Sequence, residues 1–279
     1  MYNVSIADKN FVKKASLTYE LSILLGIDSF FYLIYDQFKN VLFLKEYELP
    51  TNGNRKAALQ NILINDKQLQ LPYGKIKLGH TGTLFCLIPN KLYNGEVSRP
   101  YLEKVCDLPS EHLAFVDRLS TLKVNNVYSI SELDYNVLSS YFPMAGHYHI
   151  LSALILGAKA MSILLEEQTL FINVDKKLIV ILLFDKEKLT FANFFKFSNP
   201  NDFLFYVMLV FEQLGLDPET LSVQISGKIV QKSKEFELLY RYIRHVQLIP
   251  SPSYFHLSQE FSDINQHAYF DLFSLNLCE

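Results

Sequence analysis

SFFYLIYDQFKNVLFLKEYEL (Ser29–Leu49) and LIVILLFDKEKLTFANFFKF (Leu178–Phe197) share one pattern, and this pattern decides the fold. In each stretch an apolar strand reaches an Asp, a short polar turn follows, and a second strand begins. Asp36 and Asp185 hold the same place, so the two copies lie 149 residues apart (185 − 36 = 149). A chain that repeats a unit of this size is predicted to form two lobes with a cleft between them.

The elements around the two copies follow the same order. A further strand precedes each copy, Leu17–Leu25 in the first half and Thr169–Val174 in the second, so each copy completes a three-stranded meander. Each meander ends in a polar break and enters a helical pattern, Gly53–Ile64 or Asn201–Leu214. Meanders joined to crossover helices give a mixed sheet covered by helices. The repeat is visible only as far as these helices, and beyond them we infer it.

The pattern predicts an α/β protein of two domains, residues 1–145 and residues 146–279. Residues 1–15 are expected to form a polar arm. Gly146–Glu167 is largely apolar and is expected to be a helix buried between the lobes. Glu260–Phe273 is expected to be a last helix, or a helix followed by a strand.

Composition excludes several classes of protein. The chain has 279 residues, 49% hydrophobic and 20% charged, with a formal net charge of −3, and its Lys and Arg residues are scattered. A nucleic-acid binder would need a clustered basic surface, so none is expected. The longest apolar stretch, Ile150–Leu165, is shorter than the roughly 20 residues that span a bilayer. With three cysteines that cannot all pair and no signal-peptide pattern, we expect a cytoplasmic protein without direct membrane insertion.

Aromatic residues are plentiful. The chain has 17 Tyr and 22 Phe but no Trp. One interpretation is a core built from Phe and Tyr in place of Leu and Val. The other is that some of these rings are exposed at an interface, since aromatic side chains dominate both cores and interfaces.

The order of elements, doubled, resembles the actin/hexokinase/Hsp70 superfamily, and the second half resembles one family more closely. FKFSNPNDFLFYVMLVFEQLGLDP, residues 195–218, is the most specific part of a similar stretch that covers residues 170–229. LSILLGIDSFFYLIYD, residues 21–36, matches more loosely. The family is domain of unknown function 3822, uncharacterised Bacteroidetes proteins with an actin-like ATPase fold. The resemblance implies a duplicated actin-like (ribonuclease H-like) fold, two lobes each with a mixed five-stranded sheet flanked by helices.

The resemblance also implies where a nucleotide would lie. Active superfamily members begin each meander with a glycine-rich turn after an Asp, because glycine lets backbone N–H groups approach phosphate while the Asp handles the metal. Here Leu24 stands at the place of the first Asp, and Asp28 lies past the turn. The candidate cleft residues, remnants of a nucleotide site, are Gly26, Asp28, Ser29, Asp175, Lys176, Lys177, Ser226, Gly227 and Lys228.

These turns depart from the superfamily pattern in three places. The first lacks the Asp, the second keeps Asp175 but has Lys176 and Lys177 in place of glycines, and the adenosine turn has one glycine, Gly227, where two are usual. A non-glycine residue in a left-handed turn costs roughly 1 kcal/mol and its side chain blocks phosphate. We therefore expect no cofactor, with ATP and Mg²⁺ as the alternative. The three lysines either attract an anion or are ordinary exposed turn residues.

Other motifs carry weaker signals. His147-Tyr148-His149 places two imidazoles on one face only if extended, and no metal site is expected there. Glu166-Glu167 is typical of a solvated helix end, and Cys86 of a core thiol. Arg241, Arg244 and His245 form a basic cluster, which either takes an anionic group from a partner or offsets a helix dipole. We therefore expect no catalytic residue.

The leading hypothesis is a catalytically inactive actin-like protein that binds a protein or peptide as a scaffold, with a homodimer also considered. The superfamily resemblance supports it, because pilus-assembly and cell-division members bind short peptides. The alternative is an ATPase-like protein or sensor that binds nucleotide through altered turns. A kinase-like sugar-phosphate enzyme of the same superfamily ranks third.

Overall fold

The computed structural model describes residues 2–51, 53–95, 98–162 and 167–279. Contacts divide the chain into two units. The first consists of Met1–Ala153, Ser253–Ile264 and Cys278–Glu279, and the second of Leu154–Pro252 and Asn265–Leu277. The division at residue 145 that the sequence favours stays a prediction.

The first unit is built on two sheets with helices around them. Its elements are, in chain order, β1 (Tyr2–Ala7), β2 (Glu20–Leu25), β3 (Ser29–Tyr35), β4 (Val41–Glu48), α1 (Arg55–Asn65), β5 (Lys75–His80), β6 (Phe85–Pro89), α2 (Arg99–Glu103), β7 (His112–Leu119), β8 (Val124–Ser131), α3 (Glu132–Tyr141) and β9 (Gly146–His149). The main sheet has the order β1-β4-β3-β2-β5-β9, and a smaller sheet has the order β6-β8-β7. Helix α4 (Ile150–Ser162) carries the chain into the second unit.

The second unit has one sheet. Its elements are β10 (Thr169–Asp175), β11 (Leu178–Asp185), β12 (Lys188–Lys196), α5 (Pro200–Leu214), β13 (Ser222–Gly227), α6 (Lys234–Tyr242), β14 (His245–Leu248) and α7 (Phe270–Ser274). The sheet order is β12-β11-β10-β13-β14. Asn199 caps the N-terminus of α5, because its side chain accepts from two backbone N–H groups. Gly215 caps the C-terminus in the left-handed conformation.

The two main sheets repeat one another beyond the meanders. The run β4-β3-β2-β5-β9 matches β12-β11-β10-β13-β14 strand for strand, with two antiparallel pairings followed by two parallel ones in each. The duplication that the sequence shows only as far as the first helix therefore extends through five strands.

The repeated turns share fine detail. A bulge interrupts the ladder between Ile34 and Tyr35 in the first copy, and another lies between Leu183 and Phe184, 149 residues later (183 − 34 = 149). In the turn that follows each bulge a lysine has a positive φ, Lys39 at 63° and Lys186 at 55°. Both copies thus bend the same strand at the same place. The turns differ in length, because Asp36–Asn40 separate the paired residues of β3 and β4, whereas only Lys186 and Glu187 separate those of β11 and β12.

Three expectations were wrong. The predicted polar arm contains β1, which pairs antiparallel with β4, so the first main sheet has six strands where five were expected. Gly146 does not begin a helix, because Gly146–His149 is a strand parallel to β5. The C-terminal region forms 3-10 turns and the five-residue helix α7, with no strand between residues 253 and 279.

Each unit packs its own core. The first core lies between the main sheet and helices α1 and α3, and includes Leu21, Ile23, Leu59 and Leu138. The second lies between the five-stranded sheet and helices α5 and α6. In the described part of the chain, no helix is both long and apolar enough to span a bilayer.

Candidate functional site

The first candidate turn joins β2 to β3. Leu24, at the place of the superfamily Asp, is 1% exposed. The Gly26 N–H donates to the Ser29 carbonyl at 2.9 Å, so that amide already has an acceptor. A β-carbon on Gly26 would lie 2.2 Å from Ser29 Oγ, so a larger residue here would require the Ser29 side chain to move. The Asp28 carbonyl accepts from the Leu49 N–H at 2.8 Å.

An arginine that the sequence did not single out holds this turn. Arg55, the first residue of α1, donates from its guanidinium to the carbonyls of Gly26 and Ile27. The same guanidinium forms an ion pair with Asp134 of α3 at 3.2 Å. Arg55 lies 29 residues from Gly26 and 79 from Asp134, so no local motif reveals it. The carbonyl face of the turn is therefore bound to a protein cation.

The second candidate turn is a tight hairpin between β10 and β11. Asp175 pairs with Leu178 in the ladder, which leaves Lys176 and Lys177 as the two turn residues. Lys176 has a φ of 45°, in the left-handed region that glycine adopts without strain. The turn thus keeps a glycine-like backbone while presenting two exposed lysine side chains.

The third candidate turn follows β13 and lies beside the second. Val174 and Gly227 are partners in the parallel ladder, and the Lys228 N–H donates to the Val174 carbonyl at 2.6 Å. Ser226 Oγ donates to Asn173 Oδ1 at 2.8 Å. The structure therefore brings together the predicted residues of the second and adenosine turns. The predicted residues of the first turn, Gly26, Asp28 and Ser29, belong to the other unit. The cleft that would contain all three turns stays a prediction.

Two further side chains approach the second and third turns. The Lys228 ammonium lies 4.2 Å from the centre of the Tyr269 ring, a cation–π contact. Burial raises the pKa of the Asp271 carboxyl to about 7, with the Asp175 carboxylate adding to the rise and Lys228 opposing it. Tyr269 and Asp271 lie far along the chain from these turns, so no local motif reveals them. The Asp271 carboxyl therefore interacts with both the Asp175 carboxylate and the Lys228 ammonium.

Together these features test how well the turns suit Mg·ATP. A magnesium ion at the first turn would meet a buried leucine side chain in place of a carboxylate. A phosphate there would find the Gly26 amide engaged. At the second turn it would meet lysine side chains where glycine normally allows close approach. The residues present do not fit the nucleotide site that the resemblance implies.

A buried polar cluster in the first unit was missed at the sequence level. His80 Nε2 and His147 Nδ1 lie 2.9 Å apart, and their rings are stacked. His147 Nε2 lies 3.2 Å from the Ser139 hydroxyl. Burial lowers the pKa of both imidazoles, for His80 with a contribution from the neighbouring histidines. The extended form of His147-Tyr148-His149 creates this cluster, because its strand pairs with the strand that ends at His80.

His149 links β9 to the small sheet. Its Nε2 lies 3.0 Å from the Gly82 carbonyl, and its Nδ1 lies 3.1 Å from Asn126 Nδ2, so the imidazole donates through Nε2 and accepts at Nδ1. Its backbone N–H donates to Asp117 at 2.8 Å. Burial lowers the pKa of His149 to about 4 and raises the pKa of Asp117 to about 6. These contacts bind the two sheets of the unit together.

The remaining sequence candidates are placed as follows. Cys86 lies in β6, and burial raises the pKa of its thiol to about 11, as a core thiol requires. Arg244 is exposed and pairs with Glu219 at 3.2 Å. Glu166 lies outside the described residues. Within residues 2–51, 53–95, 98–162 and 167–279, no group of three or more His, Cys, Asp or Glu side chains is arranged to hold a metal ion.

Comparisons with known proteins agree with this architecture. A family model described as "Protein of unknown function (DUF3822)" matches residues 8–246. A Bacteroides thetaiotaomicron protein with an actin-like ATPase fold and unknown function has a TM-score of 0.84 at 23% identity, covering 96% of this chain and 99% of that one. No curated protein matches the sequence.

More distant structures share the fold. The PilM-PilN type IV pilus biogenesis complex gives a TM-score of 0.63 at 12% identity, covering 92% of this chain and 97% of that one. The ethanolamine utilization protein EutJ from Carboxydothermus hydrogenoformans gives 0.53 at 12% identity, covering 98% and 93%. The chain has the actin-like ATPase fold, which confirms the fold class expected from the sequence.

Proposed function

We propose that this chain, which belongs to the DUF3822 family, is an actin-like protein without ATPase chemistry that binds a protein or peptide as a scaffold. One observation carries the proposal. Leu24, at the place where ATPases of this fold hold a metal-handling Asp, is 1% exposed. A buried leucine supplies no oxygen ligand, and magnesium in phosphate sites is held by carboxylates and phosphate oxygens.

The second turn supports the same conclusion. Lys176 at a φ of 45° keeps the backbone course of a glycine turn without being a glycine. The exposed side chains of Lys176 and Lys177 stand where ATPases of this fold have glycine, and they block the close approach of backbone N–H groups to a phosphate.

The scaffold role rests on surface and on analogy. Large aromatic side chains stand exposed, among them Phe205 at 60%, Tyr240 at 66% and Tyr242 at 52%. Exposed aromatic residues are typical of protein interfaces. A structure of the same fold, PilM, was solved in complex with PilN. That likeness is at the level of fold, so it supports the class of function and names no partner.

One observation favours a second candidate, a nucleotide-binding ATPase-like protein or sensor with altered turns. Ser29 Oγ is buried at the first turn and has no hydrogen-bond partner among the described residues. A buried hydroxyl without a partner is costly, and in this family position a phosphate oxygen would satisfy it.

Calorimetric titration and thermal shift with Mg·ATP, ADP and GTP decide between the two candidates. A ligand at a hundredfold excess over Kd stabilises a protein by about 2.7 kcal/mol, which is readily measured. We expect no shift at millimolar nucleotide. A shift that disappears in Asp175→Asn, but persists in the exposed turn variant Asp185→Asn, would establish the second candidate.

The scaffold role has its own test. The tagged full chain is purified under mild conditions from cells that produce it at natural levels, and a stoichiometric protein partner is expected. Recovery of the chain alone, together with an absence of nucleotide binding, would contradict the proposal.

A further inference from the structure

Strand β14 has an open edge. It is the last strand of its sheet and pairs only with β13 in the described part of the chain. The Ile249 N–H donates to the Ile225 carbonyl at 2.8 Å, so residue 249 faces β13. Because alternate residues of a parallel strand turn their N–H and C=O to the same side, Val246 and Leu248 direct theirs to the open edge.

Two cavities lie next to each other along this strand. A cavity of about 590 Å³ is lined by Gln231, Phe236, Glu237, Tyr240, Val246, Gln247 and Leu248. A cavity of about 450 Å³ is lined by Glu167, Thr220, Ser222, Tyr240, Arg244, His245, Val246 and Gln247. Because Tyr240, Val246 and Gln247 belong to both, the two cavities form one groove along the edge, which we call the β14 groove.

The β14 groove has an apolar floor. The Tyr240 ring is 66% exposed and stacks on Phe236, with ring centres 6.4 Å apart. Val246 and Leu248 are half-buried and pack against the core from the edge strand. Both side chains remain partly exposed, so the edge strand offers some accessible apolar surface.

The two ends of the groove carry different charged residues. Arg244 and His245 lie at the end where β14 begins, with Glu167 nearby. At the end where β14 finishes, Glu237 is the charged residue among those that line the cavity. Arg244 forms an exposed ion pair with Glu219, which is worth little and is readily exchanged for another carboxylate. A ligand that suits both ends is acidic at the β14 start and basic at the β14 end.

We propose that the β14 groove binds an extended peptide of a partner protein. The peptide adds a strand beside β14 through the Val246 and Leu248 backbone groups, places an apolar side chain against Tyr240, and sets an Asp or Glu beside Arg244. This inference rests on the proposed scaffold function and assigns its partner's chemistry. An extended backbone is required, because a helix has no free N–H or C=O along its length to meet the strand edge.

The chain offers two matched pairs of variants. Tyr240→Ala removes a ring that lines the groove and is 66% exposed, and Tyr242→Ala removes a tyrosine of α6 that is 52% exposed and lines neither cavity. Arg244→Glu reverses the charge at the groove, and Arg241→Glu reverses an exposed arginine of α6 that lines neither cavity. Val246→Pro removes one N–H at the open edge, and leaves the ladder to β13 intact.

The experiment uses the full chain, immobilised and panned against a phage-displayed library of random dodecapeptides. Enriched sequences are synthesised with a fluorophore, and Kd is measured by fluorescence polarisation for each variant. Variants are first compared with the wild type by thermal unfolding, so that only folded proteins are used.

We expect an enriched pattern of alternating apolar residues with an Asp or Glu at one end. Tyr240→Ala, Val246→Pro and Arg244→Glu should each weaken binding by about tenfold or more, whereas Tyr242→Ala and Arg241→Glu should change it by less than about twofold. Replacing the acidic residue of the peptide should abolish the difference between wild type and Arg244→Glu.

Three results would overturn the inference. If the enriched peptides bind equally to Tyr240→Ala and Tyr242→Ala, the peptide site is not the β14 groove, and the proposed scaffold function is not contradicted. A library that yields no binder would exclude the groove as a peptide site. If the titration described above also shows nucleotide binding, the proposed scaffold function is contradicted as well. Concentration-dependent dimerisation that Val246→Pro abolishes would assign the edge to a second copy of this chain.

Discussion

The carbonyl oxygen of Val174 lies 2.0 Å from the position that a β-carbon on Gly227 would occupy. The two residues are ladder partners, and the next amide, of Lys228, donates to the same carbonyl. Gly227 also has a φ of 90°, which side chains rarely adopt. The one glycine that survives in the adenosine turn is therefore required by the packing of two backbones, whether or not a ligand binds there.

Gly227→Ala should lower the free energy of unfolding by about 3 kcal/mol or more, because it adds a backbone clash to an unfavourable φ. Urea unfolding followed by circular dichroism measures the change. Gly215→Ala is the control, since its φ is 64° but nothing lies within 4 Å of the added carbon. It should cost about 1 kcal/mol. Equal losses in both variants would show that the contact with Val174 is relaxed at little cost.

Asp66 is a second position where a substitution should be severe. Its carboxylate is buried and accepts from the Tyr47 hydroxyl at 2.6 Å, the Tyr32 hydroxyl at 2.8 Å and the Lys45 ammonium at 3.0 Å. Asp66→Ala should cost about 3–5 kcal/mol, because it leaves two hydroxyls and a cation without their acceptor.

Urea unfolding of Asp66→Ala and of Tyr47→Phe provides the comparison. Tyr47→Phe removes one donor and leaves the carboxylate with its other partners, so it should cost about 1 kcal/mol. A loss below about 1 kcal/mol in Asp66→Ala would mean that water replaces the carboxylate in this network.

The sequence predicts the meanders well because their signal is local. Apolar runs that end in Asp and a polar turn predict β3, β4, β11 and β12 within a residue or two, and the repeat indicates which strands correspond. The edge strand β1 was missed because Tyr2–Ala7 forms a strand only by pairing with β4, about 40 residues away. Such tertiary pairing overrides local preference.

The candidate site was predicted less completely, for the same reason. The pattern locates the turns that contain Gly26, Lys176 and Gly227, because each of these turns follows a strand that the sequence predicts. Arg55 and Asp271 come to those turns from distant elements, and neither is part of a recognisable motif. The sequence predicts a helix over Gly146–Glu167, which would include His147-Tyr148-His149, because the residues from Ile150 onward are largely apolar. The structure has a four-residue strand at Gly146–His149, and α4 begins at Ile150.

Asp271 should make stability fall as the pH rises. Its folded pKa of about 7 is above the ordinary value of 3.8, so its contribution is fully present below about pH 4 and is lost as the pH rises through 7. Asp271→Asn should remove that slope, which amounts to about 1.4 kcal/mol per pH unit at most. Urea unfolding at pH 5, 6, 7 and 8 measures it, with the exposed Asp185→Asn as control. Parallel curves for wild type and Asp271→Asn would contradict the raised pKa.

His149 should act in the opposite direction. Its folded pKa of about 4 is below the ordinary value of 6.5, so its contribution to stability is present above pH 6.5 and is lost as the pH falls through 4. A proton on Nδ1 would face the Asn126 amide N–H₂, which is itself a donor, so protonation breaks the contact that holds the small sheet.

His149→Gln should therefore be less stable than wild type at pH 7.5 by about 1–3 kcal/mol, since Gly82 and Asn126 lose their partners. The difference should shrink as the pH is lowered to 4.5, because only the wild type has an imidazole to protonate. Urea unfolding at pH 7.5, 6.0 and 4.5 follows both proteins, and histidine NMR titration assigns the proton. A difference that stays constant across this range would show that His149 takes up its proton without loss of the contact to Asn126.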